Sequence, residues 1–252
     1  MNDSNIKIGT SGFMGIDSHT YFKLFNVVEL NTTFYGIPKD KVWQKWFDNS
    51  KEYDVQYIIK VNNFFTHKKK LLIDDIFIDS WNEFWRKCNI LKNKLGPIFF
   101  QLSSNFKYSE KNINKLKILF SFLPKWNYVF EFRDIKFYNK NIFDLFNKFN
   151  WCFCIIDVNN NSKWIKNMPY QKFILPELDN YVVTSNIIYI RLHGSKDQYI
   201  GKYGENGLKE IENFIKEFYH NYVIYIIFNN TDSENPPSAY SDALTLKNIL
   251  LK

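Results

Sequence analysis

The chain has 252 residues, of which 45% are hydrophobic and 19% aromatic, enough for one large buried core. No apolar run reaches the roughly 18 residues of a membrane span, and the N-terminus lacks a charged-then-apolar secretion signal, so we expect no membrane association. The formal charge of +7 favours an anionic partner such as nucleic acid or, alternatively, reflects only an excess of solvated lysines.

Short apolar runs recur along the chain, separated by segments long enough for helices. We predict strands at 6–10, 27–31, 56–61, 98–102, 128–133, 152–157, 187–192 and 223–229. We predict helices at 17–25, 39–49, 76–94, 109–122, 139–149, 206–220 and 238–251. Eight strands that alternate with helices, and that are apolar on both faces, predict a single α/β domain over 1–252, a (β/α)₈ TIM-like barrel. No G-x-G-x-x-G motif follows the first strand, which weakens the alternative of an open dinucleotide-binding sheet.

Two segments need separate treatment. Residues 158–186 contain asparagine runs and two prolines without a helical period, so an irregular segment is expected where the helix after strand six would lie. The three cysteines, Cys88, Cys152 and Cys154, lack metal-site spacing, and Cys152 and Cys154 should share one strand face as small apolar residues. This usage favours a reduced, cytoplasmic protein.

Nearly every predicted strand ends on a polar or charged residue. In a parallel barrel these ends meet at one rim, where TIM-barrel enzymes carry their reactive groups. Glu29 and Asn31 are two residues apart, as are Glu131 and Arg133, and Arg191 and His193, so each pair projects from one strand face. We therefore predict a lined pocket at the barrel mouth, formed by Glu29, Asn31, Lys60, His67, Gln101, Glu131, Arg133, Asp157, Arg191, His193 and Asn229. The alternative is a structural layer in which Glu29 and Glu131 neutralise Lys60, Arg133 and Arg191.

Glycines form a second pattern. Seven of the nine lie in two loops, after strands one and seven, which are close together in a closed barrel. Backbone N–H groups beside glycine can approach an anion closely, so this clustering predicts a phosphate site that includes Gly201; ordinary turn chemistry is the alternative. Tyr199 and Tyr203 lie among these glycines and are candidates to stack on a base or a sugar.

Eight segments, in order along nearly the whole chain, resemble the DUF72 (YecE-like) family of barrel proteins: IGTSGF (8–13), FNVVELNTTFYGIP (25–38), IIKVNNFFTHKKKL (58–71), LGPIFFQLSSNF (95–106), FEFRDIKF (130–137), YIRLHG (189–194), YIGKYGENGL (199–208) and VIYIIFNNTDSENPPSAYSDALTLKNIL (223–250). The resemblance implies a TIM-like barrel related in shape to the xylose-isomerase and endonuclease IV-like group. It implies no established activity.

The rim residues admit two chemistries. Only two of the four histidines, His67 and His193, fall on the rim, which is too few for a multi-zinc site. No cofactor is evident from the sequence. A single Mg²⁺ or Mn²⁺ ion bound by Glu29, Glu131 and Asp157 is an open alternative. Without a metal, Glu29 and Glu131 would be the acid and base, and His193 would transfer protons. The substrate would be held by Lys60, Arg133 and Arg191 and oriented by Asn31, Gln101 and Asn229.

The leading functional hypothesis is an enzyme that acts on a phosphate-bearing substrate, a phosphodiester or sugar phosphate, by hydrolysis or acid/base chemistry. The main alternative is a non-catalytic nucleic-acid-binding protein that uses a basic rim for phosphate contacts. A third hypothesis is a barrel that serves only as an interaction scaffold.

Overall fold

The computed structural model describes residues 5–157 and 183–250. Within these ranges one parallel sheet contains nine strands: β1 (Ile6–Ser11), β2 (Val27–Leu30), β3 (Gln56–Lys60), β4 (Leu95–Gln101), β5 (Tyr128–Glu131), β6 (Cys152–Phe153), β7 (Ile155–Asp157), β8 (Ile187–Leu192) and β9 (Val223–Phe228). The strand order is β6-β5-β4-β3-β2-β1-β9-β8-β7. The predicted TIM-like α/β barrel is confirmed.

The sheet closes through the sixth predicted strand, which is divided at Cys154 into β6 and β7. The first half pairs with β5, through Val129 and Phe130, and the second half pairs with β8, through Ile190 to Leu192. Cys154 itself donates its backbone N–H to the carbonyl of Phe130 at 2.9 Å. One continuous stretch of chain therefore joins the two edges of the sheet.

Helices surround the barrel: α1 (Ser18–Leu24), α2 (Thr32–Tyr35), α3 (Asp40–Ser50), α4 (Asp75–Cys88), α5 (Glu110–Phe122), α6 (Lys140–Phe149), α7 (Gly204–Phe218) and α8 (Ser238–Leu250). Side-chain caps fix several of their starts; the Asp74 carboxylate, for example, accepts from the backbone N–H of Phe77 at 2.9 Å. Across the parts of the chain described here, no helix is both long enough and apolar enough to span a membrane. The predicted irregular segment after strand six lies outside the described residues, except for its last few positions.

Two apolar cores hold the barrel together. The larger one lies between the sheet and the helices and includes the indoles of Trp43 and Trp81, both at most 1% exposed. The smaller one fills the barrel interior and consists of Val27, Ile58, Phe99, Val129, Cys152, Cys154, Ile156, Ile187, Tyr189, Tyr225 and Ile227. Because side chains alternate along a strand, the residues two positions after Val27, Ile58, Phe99, Val129 and Tyr189 also face inward. These positions lie at the carboxyl ends of the strands, and all five are polar.

Candidate functional site

A buried ion-pair layer lies above the inner core, and Arg191 is at its centre. The guanidinium donates from Nη1 to Glu131 Oε2 at 2.6 Å and from Nη2 to Glu29 Oε1 at 2.9 Å. All three side chains are at most 1% exposed. Three strands, β2, β5 and β8, therefore meet at one arginine, and the predicted convergence of Glu29, Glu131 and Arg191 is observed.

Neighbouring side chains hold this layer in place. The Tyr189 hydroxyl donates to Glu29 Oε2 at 2.6 Å, and the Gln101 amide donates to Glu131 Oε1 at 2.8 Å. Below the layer, the Phe99 ring lies 4.7 Å from the guanidinium carbon of Arg191 and stacks on Tyr189. The stacked rings of Phe99 and Tyr189 lower the local dielectric constant and strengthen the ion pairs above them.

The layer keeps Glu131 ionised. Burial alone would raise the pKa of this carboxyl, but the positive charges of Arg191 and Arg133 outweigh that effect and hold the pKa well below its usual range. Arg133 contributes directly, since its Nε donates to Glu131 Oε1 at 3.3 Å. At neutral pH Glu131 is therefore a carboxylate, which can accept a proton but has none to give.

Lys60 ends β3 and points into the same layer, yet its ammonium group makes no ion pair or hydrogen bond with any described residue. Both nearby carboxylates are bound to Arg191. The Nζ atom instead lies 4.4 Å from the centroid of the Phe34 ring. Burial lowers the pKa of Lys60 to about 8, and the charge of Arg191 acts in the same direction against the opposing effect of Glu29 and Glu131.

His193 follows β8 and is completely buried. Its Nδ1 lies 3.0 Å from the amide nitrogen of Asn229, which can only donate, so in the neutral ring the proton lies on Nε2. Burial lowers the pKa of His193 well below its ordinary value, and the charge of Arg191 lowers it further. The imidazole is therefore neutral at pH 7, and its predicted part in proton transfer depends on that neutral form.

Two predicted residues lie at the edge of the opening. Asn31 donates from its amide to Ser11 Oγ, and Ser11 in turn donates to Glu29 Oε1 at 3.4 Å. His67, half-buried on the turn after β3, contacts the Phe34 ring edge to face at 5.0 Å. Burial lowers the pKa of His67, and the charges of Arg133 and Lys60 lower it further.

Two other predicted residues point elsewhere. Asp157 directly follows Ile156, a member of the inner core, so its side chain lies on the outer face of the sheet. There it is a hydrogen-bond partner of Tyr203, whose ring packs against Phe228 in the outer core. The structure therefore corrects the assignment of Asp157 to the barrel mouth, and it places Tyr203, a candidate to stack on a base or a sugar, against the outer core. Tyr199 does approach it, with its ring centroid 5.5 Å from that of His193.

The glycine loop after β8, residues 194–204, is organised by protein acceptors. Gly201 donates its N–H to Asp232 Oδ2 at 3.1 Å, Tyr203 donates to Asp242 Oδ2 at 3.0 Å, and Gly194 donates to the Tyr203 hydroxyl at 3.1 Å. Gly194 has φ +114°, and a Cβ there would lie 2.4 Å from the carbonyl oxygen of Ile200. Turn chemistry explains these glycines, and the N–H of Gly201 predicted to bind phosphate is occupied by a carboxylate.

The proposed Mg²⁺ or Mn²⁺ ligand set does not fit the geometry. Asp157 lies on the outer face, while Glu29 and Glu131 direct oxygens at Arg191. Within residues 5–157 and 183–250, no three His, Cys, Asp or Glu side chains come close enough to hold a metal ion. These three carboxylates therefore do not converge on one ion.

Sequence reasoning missed four contributors: Ser11, Phe34, Phe99 and Tyr189. Tyr189 and Phe99 had a usable signal, because each lies two positions before a predicted rim residue and must share its strand face. Ser11 is likewise in register with Glu29 across the β1–β2 pair. Phe34 lies on the short helix α2, which has no periodic signature in the sequence.

Comparisons with known proteins place this barrel among relatives of the same architecture. A solved DUF72 family protein (EF0366) from Enterococcus faecalis V583 superposes with a TM-score of 0.80 at 16% identity, covering 98% of this chain and 96% of that chain. Another DUF72 family protein (TM1631), from Thermotoga maritima MSB8, gives a TM-score of 0.76 at 22% identity, covering 98% and 99%. At these identities the likeness establishes the fold.

The sequence itself gives the family. It is 30% identical over 132 residues to the UPF0759 protein YecE of Escherichia coli (strain K12), a match that spans 50% of this chain and 45% of the length of YecE. The family model described as "Protein of unknown function DUF72" matches residues 18–251. Since that match covers most of the chain, this protein belongs to the DUF72 family.

Proposed function

We propose that the barrel mouth binds a phosphate-bearing small molecule, and that the protein is an enzyme acting on it by hydrolysis or proton transfer. The observation that carries this proposal is a charge imbalance in the ion-pair layer. Three cations, Arg191, Arg133 and Lys60, act together with two carboxylates, Glu29 and Glu131, so positive charges outnumber negative ones among these five groups. A buried site with surplus positive charge favours an anion.

Arg133 is the group best placed to bind that anion. Its side chain is 18% exposed, whereas that of Arg191 is 1% exposed and bound to both carboxylates. A guanidinium can grip two phosphate oxygens at once, a geometry that an ammonium group cannot reproduce. Arg191 then serves to hold Glu29 and Glu131 in place beneath the substrate.

The chemistry requires a group that titrates near neutral pH, and Lys60 meets that requirement with a pKa of about 8. Glu131 is held as a carboxylate and is restricted to accepting a proton. Neutral His193, oriented by Asn229, supplies a polar contact next to them. In this proposal Lys60 on β3 is the acid, Glu131 on β5 is the base, and His193 after β8 orients the substrate.

Binding of ribose 5-phosphate, measured by isothermal titration calorimetry, tests the proposal. Arg133→Met should weaken binding by about tenfold or more, since a charge-assisted contact of at least about 1.4 kcal/mol is lost. The matched control is Arg86→Met, which removes an arginine that binds Asp40 and Glu83 on the outer surface. Unchanged affinity in Arg133→Met would contradict the proposed site.

The net charge of +7 favours a second candidate, a protein that binds nucleic acid without catalysis. Its binding should weaken steeply with added salt for unrelated nucleic-acid sequences, and Glu131→Gln should leave it intact. For the enzyme, Glu131→Gln should abolish turnover. The depth of the cations argues for the small molecule, because Lys60 and Arg191 are too buried to reach the backbone of a duplex.

A further inference from the structure

Three lysines of the described chain are buried to the same extent, and they differ in what their ammonium groups contact. Lys7, Lys60 and Lys94 are each 8% exposed. Lys7 Nζ pairs with Asp54 at 3.4 Å, and Lys94 Nζ donates to the carbonyl oxygen of Tyr53. Lys60 has neither an anion nor a carbonyl acceptor among the described residues, and its nearest charged neighbours are bound to one another.

The Lys60 side chain is largely withdrawn from water and its ammonium group has no protein acceptor among the described residues, so this lysine favours its neutral amine. The neutral amine is the nucleophilic form, and enzymes activate lysine by desolvation and by a neighbouring cation. Lys60 has both features: its side chain is only 8% exposed, and the charge of Arg191 acts on it across the layer.

We infer that Lys60 is a nucleophile that forms a Schiff base with an aldehyde or ketone carrying a phosphate group. The inference rests on the proposed function, which supplies the phosphate contact at Arg133. Lys60 ends β3 and Arg133 lies two residues after the end of β5, and strand alternation directs both toward the barrel mouth. One substrate would contact both, with its phosphate at the rim and its carbonyl at β3.

The covalent step balances without any oxidant or reductant. The lone pair of Lys60 Nζ forms a bond to the carbonyl carbon, and one proton moves from Nζ to the former carbonyl oxygen to give a neutral carbinolamine. The hydroxyl group then takes up one proton from solvent, and the C–O bond breaks to release water, which leaves a protonated iminium on Nζ. The iminium withdraws electrons from the adjacent carbon, so a neighbouring C–H or C–C bond can be broken and the electron pair held.

Reductive trapping on the full-length protein tests this inference. Glycolaldehyde phosphate and unphosphorylated glycolaldehyde are each added with sodium cyanoborohydride, and the labelled lysines are identified by peptide mass spectrometry. With the phosphorylated aldehyde, Lys60 should be labelled about tenfold or more faster at pH 7.5 than any other lysine, because far more of it is unprotonated. Lys7 and Lys94 are internal controls of equal exposure.

The pH dependence of the labelling rate distinguishes a lowered pKa of Lys60 from mere accessibility of Lys60 to the aldehyde. Labelling of Lys60 should rise with pH through a midpoint near its pKa of about 8 and then level off, whereas an ordinary lysine keeps gaining reactivity up to 10.5. The charged and titratable groups facing Lys60 are Glu29 on β2, Glu131 and Arg133 at β5, Arg191 and His193 at β8, and His67 after β3. A midpoint above 10 would overturn the inference.

The outcomes separate the two proposals. Slow labelling of Lys60 by both aldehydes, at the rate of exposed lysines, would refute the Schiff base even if ribose 5-phosphate binds. Fast labelling by both aldehydes at equal rates would support Lys60 as a nucleophile and refute phosphate recognition. Arg133→Met should reduce the rate with the phosphorylated aldehyde to that of the unphosphorylated one.

Discussion

The three arginines of this chain occupy very different environments, although each forms ion pairs with carboxylates. Arg191 is buried between Glu29 and Glu131, while Arg86 is 50% exposed on α4. An exposed pair gains little because water screens both charges. A buried carboxylate that loses its partner keeps the full cost of desolvation. Equal numbers of ion pairs therefore correspond to unequal contributions to stability.

We expect Arg191→Met to lower the free energy of unfolding by about 3–5 kcal/mol, since it leaves two buried carboxylates without a counter-charge. Arg86→Met should cost less than about 1 kcal/mol. Urea denaturation at pH 7.5 measures both. Adding Glu29→Gln and Glu131→Gln to Arg191→Met should recover part of the loss, and equal losses in the two single variants would contradict this account.

The pattern of residues two positions apart was enough to predict most of this layer. Glu29, Glu131 and Arg191 converge as expected because strand alternation fixes which face a side chain occupies. Asp157 was misplaced although the same rule applied to it: Cys152 and Cys154 were expected on one strand face, and Asp157 falls on the other. A residue's position at a strand end predicts that it lies near the rim. Whether its side chain points into the barrel depends on the alternation of side chains along the strand.

At the scale of elements, the glycine loop is held to the barrel by two carboxylates from the segment after β9. Asp242 accepts from the N–H of Tyr203 at 3.0 Å and from the Asn230 amide at 2.8 Å, while Asp232 accepts from the N–H of Gly201 at 3.1 Å. The bonds from the Tyr203 and Gly201 N–H groups are charge-assisted hydrogen bonds from backbone donors to carboxylates. They fix residues 194–204 against α8 and β9.

Hydrogen exchange can resolve the contribution of each carboxylate. Asp242→Asn should accelerate exchange of the Tyr203 amide by about tenfold or more, since a bond to a charged acceptor of roughly 1.5 kcal/mol is weakened. The Gly201 amide, bound to Asp232, should change less. Asp144→Asn, which removes an exposed partner of Lys140 on α6, is the control. Unaltered exchange at Tyr203 would show that Asp242 does not hold the loop.

Element boundaries were predicted less well than element types. The helix predicted over 76–94 ends at Cys88, and a 3₁₀ turn over Asn89–Lys94 follows, in which Lys92 has φ +51°. Nothing in the apolar spacing marks that break, because Ile90 and Leu91 continue the pattern. Likewise β4 begins at Leu95, three residues earlier than predicted. Tertiary pairing decides such boundaries.

At the scale of the whole molecule, the ionisable groups buried by the fold set how stability varies with alkaline pH. Burial raises the pKa of the thiols of Cys88, Cys152 and Cys154, so these groups keep their protons in the folded state while the unfolded chain loses them. Their contribution to stability is present below the unfolded thiol pKa and is lost as pH rises. The fold should therefore become less stable above about pH 9.

Lys60 acts in the opposite direction. Its pKa is about 8 in the folded state, against the ordinary lysine value of 10.5, so between these values the unfolded chain binds more protons and stability rises with pH. Comparison of wild type with Lys60→Met isolates this effect, since both proteins carry the same cysteines. Between pH 7.0 and 9.5, wild type should gain about 2 kcal/mol relative to the variant.

Urea denaturation at 0.5-unit pH steps, about six measurements per protein, provides the data. Lys60→Arg should lack the gain as well, because a guanidinium stays charged throughout this range. In contrast to Lys60→Arg, Lys60→Met should also be more stable than wild type at pH 7, because wild type keeps a largely desolvated ammonium group that has no protein acceptor among the described residues. A difference between wild type and Lys60→Met that does not vary with pH would mean that Lys60 titrates as an ordinary lysine, and the case for a nucleophilic amine at the barrel mouth would fail with it.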